Sequence, residues 1–282
     1  MEIRGSTTVY GIIGYPVKHS LSPLMQTAAF QEAGIDAVYV PFEVKPEHLK
    51  TALDGIRALN VMGVNVTIPH KERVVEFIDF LDEDAEFLGA VNTIKNVEGK
   101  LHGYNTDAVG FYRSLVEEGI ALKGKTAVMF GAGGAAKAVG YALLKGGVKF
   151  LHIFNRNFSR AKELGDLLSR LGNVLVYPLK ESAVETVLPT ADVIVNTTSV
   201  GMKSSDPHLF DYSKIPEGKT VVDIIYTPPE TELLKAAKKK GCKVVNGLGM
   251  LLYQGVAAFE IWTGRKAPAE LMKKVLLEEL YG

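Results

Sequence analysis

The chain has 282 residues, enough for one large domain or two of ordinary size. Hydrophobic residues make up 47% and charged residues 23%, the balance of a well-packed globular protein. Lys plus Arg and Asp plus Glu each number 32, so the formal charge is zero and nothing draws the chain as a whole to nucleic acid or to a membrane surface.

A single cysteine, Cys242, excludes an internal disulfide framework and a Cys-rich metal site. It opens an apolar run to Val245 and reads as a buried structural thiol. No apolar run approaches the roughly 20 residues that span a bilayer. The start of the chain lacks the pattern of a secretory signal, and the expectation is a cytoplasmic protein.

Short β-branched runs alternate with amphipathic stretches along the chain, the pattern of an α/β protein with a largely parallel sheet. Thr8–Ile13, Val38–Phe42 and Val64–Thr67 are predicted strands, and helices are predicted from Pro23 and Pro46, where proline suits a first turn. A helix over Ala108–Glu118, closed by Gly119, joins this series to a second one starting at Lys125. There the predicted strands are Thr126–Phe130, Phe150–Phe154, Val174–Tyr177, Asp192–Asn196 and Val221–Ile225. A helix is expected over Ala161–Leu171, stopped by Gly172, and the chain is helical in pattern from about Gly249. Two α/β domains flanking a cleft is the expected architecture.

The strand Thr126–Phe130 runs straight into Gly131-Ala132-Gly133-Gly134-Ala135-Ala136, followed by apolar residues at helical spacing. A glycine pattern alone specifies only a tight turn. Between a strand and a helix it forms a dinucleotide fingerprint: one glycine makes the turn, the next admits a pyrophosphate, and a small third residue lets helix and strand pack. The helix N-terminus adds unpaired N–H groups for the phosphates. The second domain is therefore expected to be a Rossmann-type doubly wound parallel sheet.

NAD-binding units usually end the next strand with an acid that holds the ribose hydroxyls. Here that strand ends in Asn155-Arg156, followed by Ser159-Arg160. Two guanidiniums and a hydroxyl suit a 2′-phosphate, and the implied cofactor is NADP. The competing reading makes both arginines ordinary surface charges.

Further polar clusters lie where strand ends are expected. Ser20 and Ser22 precede a helix and fit either a helix cap or capture of a carboxylate. Asn65 and Thr67 share one strand face, and Lys71 is expected at the start of the next helix, where its charge would oppose the macrodipole. Asn92-Thr93 and Asn105-Thr106-Asp107 complete the set, with Asp107 also placed to cap a helix.

Together these motifs resemble the shikimate dehydrogenase family. The matching stretches are Ser20-Leu-Ser22-Pro23, Asn65-Val-Thr67-x-Pro-x-Lys71, Gly89-Ala-Val-Asn92-Thr, Gly103-x-Asn105-Thr-Asp107, Gly131-Ala-Gly-Gly-Ala135, Asn155-Arg156-x-x-Ser159-Arg160, Asn196-x-Thr198-Ser199 and Asn246-Gly247-Leu-Gly-Met250 leading to Gln254. Asn246 stands where the family usually has an aspartate, a departure that touches no implied role.

The resemblance implies reversible reduction of 3-dehydroshikimate to shikimate by NADPH, in aromatic amino-acid biosynthesis. It assigns Ser20 and Ser22 to the substrate carboxylate. Thr67, Lys71, Asn92, Asp107 and Gln254 would hold the ring hydroxyls with Tyr226 nearby, and Lys71 and Asp107 would form the catalytic pair. Ile224 and Gly247 would line the nicotinamide end. It also implies a discontinuous substrate-binding and catalytic domain, 1–107 plus 247–282, around an NADP-binding domain, 108–246.

A lysine ammonium is a natural acid for ketone reduction and a poor base for the reverse reaction, so the proton route stays open. No histidine or carboxylate cluster points to a metal. The expected partners are a small-molecule substrate and no nucleic acid or membrane, in a monomer or homodimer. The competing functions are a quinate/shikimate dehydrogenase of broader specificity, a methylene-folate dehydrogenase of similar architecture, and a non-catalytic NADP-sensing module.

Overall fold

The computed structural model describes residues 2–282. The chain divides into two compact units: unit 1 runs to Gly110 and resumes at Leu252, and unit 2 is Phe111–Leu251. Both changeovers fall inside helices, α4 (Thr106–Glu117) and α9 (Leu248–Thr263).

Unit 1 is built on β1 (Thr8–Gly14), β2 (Ala37–Glu43), β3 (Gly63–Val66), β4 (Phe80–Leu81), β5 (Thr93–Val97) and β6 (Lys100–Tyr104). They form one sheet in the order β2-β1-β3-β5-β6-β4. Its helices are α1 (Ser22–Glu32), α2 (Leu49–Ala58), α3 (Glu83–Leu88), the greater part of α9, and α10 (Ala269–Tyr281). One face of the sheet buries Ile13, Val64, Ile94 and Leu101 against Leu53 and Ile56 of α2. Elsewhere Tyr10 stacks on Phe30 and packs beside Trp262, whose indole N–H donates to the Ile94 carbonyl at 2.9 Å.

The parallel pattern expected from the sequence holds for β1, β2 and β3 and for the short β4 beside β6. β5 runs antiparallel to both β3 and β6, so this sheet is mixed. The β5–β6 hairpin turns on Glu98 and Gly99, both at positive φ, as a two-residue turn between twisted strands requires.

Unit 2 contains β7 (Thr126–Phe130), β8 (Phe150–Asn155), β9 (Asn173–Pro178), β10 (Val193–Asn196), β11 (Thr220–Asp223) and β12 (Lys243–Val245). All pairings are parallel, in the order β12-β11-β10-β7-β8-β9. Helices α5 (Gly134–Lys145), α6 (Phe158–Leu168), α7 (Glu181–Val187) and α8 (Glu232–Lys239) lie between the strands in sequence. The chain winds outward from β7 to β9, returns beside β7 as β10, and winds the other way to β12. That is the Rossmann-type doubly wound sheet, with its switch point between β7 and β10. Phe130 stacks on Phe154 and Phe210 within its core.

Three local expectations are corrected. The helix expected over Ala161–Leu171 is α6, which starts earlier because the Asn157 side chain accepts the Arg160 N–H at 3.2 Å and so caps it; Leu171 and Gly172 lie beyond its end. Lys71 sits in a turn ahead of a short 3-10 helix (Arg73–Phe77) and not at the start of an α-helix, so the macrodipole argument does not apply to it. Asp107 is not a cap either: it lies in the first turn of α4, and its N–H donates to Asn105 Oδ1 at 3.1 Å.

Cys242 is buried and unpaired, with its thiol against the Pro216 carbonyl. Among the described residues no helix is long and apolar enough to cross a membrane.

Candidate active site

In unit 1 the polar clusters converge because of strand direction. Ser20 and Ser22 follow the C-terminal end of β1, and Thr67 and Lys71 follow that of β3. β5 runs the other way, with Thr93 opposite Asn65, so Asn92 leads into the sheet from that same edge. β6 ends at Tyr104, opposite Thr93, and Asp107 comes three residues later in α4. One sheet edge thus gathers residues from four strand ends.

Lys71 Nζ lies 2.6 Å from Asp107 Oδ2, with the lysine side chain 31% and the aspartate 13% exposed. Asn92 is buried beside them. Its Oδ1 receives the Thr106 N–H at 2.7 Å and the Thr93 hydroxyl at 3.1 Å. With its oxygen so occupied, the amide turns its NH2 outward and donates to Asp107 Oδ1 at 2.8 Å.

The network continues inward through residues that the sequence reading left without a role. Asn65 Nδ2 donates to Thr93 Oγ1 at 3.0 Å and to the Asn92 carbonyl at 3.1 Å. Its Oδ1 accepts from the Tyr39 hydroxyl at 2.7 Å. Burial pushes the Tyr39 phenol well above the usual tyrosine range, and Ser22 hydrogen-bonds to it. A continuous buried chain therefore joins Ser22 to the Lys71–Asp107 pair. The one signal in the sequence was alternation, which puts Asn65 on the face of Thr67.

Neither serine is a helix cap in the simple sense: the cap position of α1 is Leu21, which makes no side-chain capping bond. Ser20 Oγ accepts the Ser22 N–H at 3.3 Å, leaving the Ser20 hydroxyl hydrogen free to donate. Thr67 is half-buried, its N–H held by the Ile13 carbonyl. Gln254 is half-buried on α9, one residue before Gly255, whose carbonyl accepts from Gln26 at 2.8 Å.

In unit 2 the glycine loop lies at the C-terminal end of β7, at the switch point. Gly131 has φ +116°, and a Cβ there would collide with the Thr197 hydroxyl, so only glycine fits. Gly133 and Gly134 are exposed, and the space above them is open. Gly133 caps α5 with no side-chain bond, so the first N–H groups of that helix face this space. Ala132 and Ala135 flank them half-buried, and Ala136 is fully buried against the sheet. The loop therefore fits a pyrophosphate.

At the end of β8, Asn155 Nδ2 donates to the Asn157 carbonyl at 2.8 Å. Arg156 and Arg160 are both exposed, and neither guanidinium enters an ion pair among the described residues. Ser159 reaches Glu163 at a long 3.4 Å. Past the end of β11, Ile224 and Gly247 come together: a Cβ on Gly247 would overlap the Ile224 carbonyl, and the Gly247 N–H donates to the Ile225 carbonyl at 3.0 Å. Tyr226, beyond them, has its phenol raised by burial.

Three family models match. "Shikimate dehydrogenase substrate binding domain" covers residues 12–94, "Shikimate / quinate 5-dehydrogenase" 114–224, and "Shikimate 5'-dehydrogenase C-terminal domain" 247–277. A Moorella thermoacetica protein named "Shikimate dehydrogenase (NADP(+))" is 45% identical over 286 residues, covering 99% of this chain and 96% of the relative. The crystal structure of shikimate dehydrogenase from Aquifex aeolicus superposes with a TM-score of 0.90 at 45% identity, covering 98% of this chain and 99% of the other. The Listeria monocytogenes shikimate 5-dehydrogenase in complex with shikimate and NAD gives 0.94 at 36% identity, with 98% of both chains covered. Similarity of this degree over nearly the whole length, with the polar edge and the glycine loop both in place, means that the chain belongs to the shikimate dehydrogenase family.

Proposed function

We propose that this chain catalyses the reversible NADPH-dependent reduction of 3-dehydroshikimate to shikimate. The observation that carries the reading is the 2.6 Å contact of Lys71 with Asp107, backed by Asn92, on the sheet edge that also presents Ser20 and Ser22. Residues 1–107 with 247–282 bind substrate and carry the chemistry, and residues 108–246 hold NADP. The compact units, which change after Gly110 and Leu251, support that division.

The glycine loop and the α5 N-terminus hold the pyrophosphate, and Asn155, Arg156, Ser159 and Arg160 the 2′-phosphate. Ile224 and Gly247 line the other end. When bound, the nicotinamide supplies the hydride. Lys71 keeps one N–H on Asp107 and has two others to direct at a substrate oxygen. In ketone reduction it polarises the carbonyl and gives the oxygen a proton as the carbon receives hydride. Its partial exposure leaves the resulting amine a path to solvent protons. Asp107 orients the ammonium and binds a neighbouring hydroxyl with Thr67, Asn92 and Gln254. The Ser20 hydroxyl donates to the carboxylate, Ser22 turns from Tyr39 to join it, and Tyr226 belongs to the substrate-binding set.

A second reading, broader quinate/shikimate specificity, is favoured by the matched family model that spans both activities. A non-catalytic NADP sensor would have no use for the joined Lys71–Asp107 pair. We also place the chain in the cytoplasm, as a monomer or homodimer, with Cys242 kept as a buried thiol. The test is absorbance of the reduced cofactor with shikimate or quinate and with NADP or NAD. Turnover of shikimate with NADP is expected. Its absence refutes the reading, and equal turnover of quinate selects the broader one.

A further inference from the structure

Asp223 ends β11 and Asn196 ends β10, paired side by side in the sheet. Asp223 has no solvent exposure. Its Oδ1 accepts from Asn196 Nδ2 at 3.0 Å and from the Ile225 N–H at 3.1 Å, and its Oδ2 accepts from the Thr231 hydroxyl at 2.7 Å. Asn196 in turn holds Thr198 and the Val200 carbonyl, and the following Thr197 packs on Gly131. The carboxylate is thus the common anchor of two loops, 197–200 beside the glycine loop and 224–226 beside Gly247.

The partners also bear on its charge state. The Ile225 N–H and the Asn196 NH2 can only donate. The Thr231 oxygen takes the Leu234 N–H at 3.4 Å while its hydroxyl donates to Asp223. Three donated hydrogen bonds favour the carboxylate over the carboxylic acid. Burial works against this by raising the Asp223 pKa, and the donors oppose that rise. No lysine, arginine or histidine pairs with it among the described residues. Isolated buried carboxylates are costly, so a negative charge kept there calls for a use.

Position supplies one. A dinucleotide lies across the switch point, one half over each wing of the sheet. Arg156 follows β8 and marks the adenosine wing, so the nicotinamide half lies over the ends of β10 and β11, where Asp223 sits. The nicotinamide ring is cationic when oxidised and neutral when reduced.

We propose that Asp223 acts as a fixed negative charge beneath the nicotinamide end, which tightens binding of NADP+ relative to NADPH as well as positioning Ile224. This rests on the cofactor reading above. A unit charge acting through the polarisable edge of a protein changes such a ratio by roughly threefold to tenfold.

The test is direct binding of NADP+ and of NADPH by calorimetry, without substrate. Asp223→Asn should weaken NADP+ more than NADPH, raising the Kd ratio (NADP+ over NADPH) by about threefold to tenfold. Thr231→Val removes one bond but keeps the charge, and should leave that ratio unchanged. A ratio in Asp223→Asn equal to that of wild type overturns the proposal, as does an equal change in Thr231→Val. Carbon-13 NMR of the wild-type carboxyl gives an answer even if Asp223→Asn does not fold: an ionised Asp223 at neutral pH is required, and a protonated one overturns the proposal. Wild type that binds neither cofactor form removes the cofactor reading and this inference with it. Wild type that binds both, with no change of ratio on substitution, removes this inference alone.

Discussion

Asn92 donates to the Asp107 oxygen that Lys71 does not use, at 2.8 Å, so each oxygen of that carboxylate has its own fixed donor. The aspartate cannot swing away without breaking a buried bond, and the ammonium it holds keeps its direction. Positioned acids of this kind contribute about 100-fold to 10,000-fold to turnover. Lys71→Ala should therefore lower kcat by at least about 100-fold with little change in the KM for shikimate. Steady-state kinetics checks this, and near-normal kcat would remove Lys71 from the mechanism.

In the proposed cofactor site the discriminating charge is Arg156, exposed and without an ion pair among the described residues, so it pays no local penalty to engage a phosphate. One charge-assisted bond is worth about 1.5–3 kcal/mol, or roughly tenfold to a hundredfold in affinity. Arg156→Asp should weaken NADP by that factor or more and leave NAD nearly unchanged. An equal loss for both would keep the site and refute the basis of its phosphate preference.

Gly247 is the tightest backbone approach near Ile224, since a Cβ there would overlap the Ile224 carbonyl group. Gly247→Ala must push the 224–225 segment aside. A cost of about 1–3 kcal/mol in stability is expected from such overpacking, together with a raised KM for NADP. Denaturant unfolding and cofactor titration measure the two effects. A variant as stable as wild type with unchanged NADP binding would show that the segment can move freely.

His152 gives a pH prediction. Burial holds its imidazole below the ordinary value of 6.5. Once the pH falls below that value, the unfolded chain takes up the proton first, so stability rises with pH across this window and is lost as pH falls through the folded pKa. Thermal melting at about pH 7.5 and 5 should show a steeper loss for wild type than for His152→Gln. Parallel losses would mean that other groups set the acid sensitivity.

What the sequence could reveal depended on whether the signal was local. The glycine loop of β7–α5 was readable because strand, turn and helix are contiguous, and β7 to β11 because each is a short apolar run; the three-residue β12, opened by Lys243, was too short to show. The β5–β6 hairpin escaped because its turn is Glu98-Gly99 rather than a strong turn pair, and its strands carry polar residues such as Lys95 and Lys100. The Tyr39–Asn65–Thr93 chain joins residues on three strands that are remote in sequence. It appears only once β2, β3 and β5 are brought into one sheet. Asp223 fell in the middle of the predicted strand Val221–Ile225, whereas β11 ends at it, and nothing nearby in the sequence marks Asn196 and Thr231 as its donors.

The division of the chain also has a temporal side. Every residue of unit 2 has been synthesised once Leu251 is made, whereas unit 1 waits for its final segment. That segment brings Phe259 and Trp262, which pack on Phe30 and Tyr10, and the fully buried Met272 and Leu276. Domains fold as units while the chain grows. On the ribosome the later-starting unit is thus the first able to close its core, and the unit bearing Lys71 and Asp107 waits for residues 252–282.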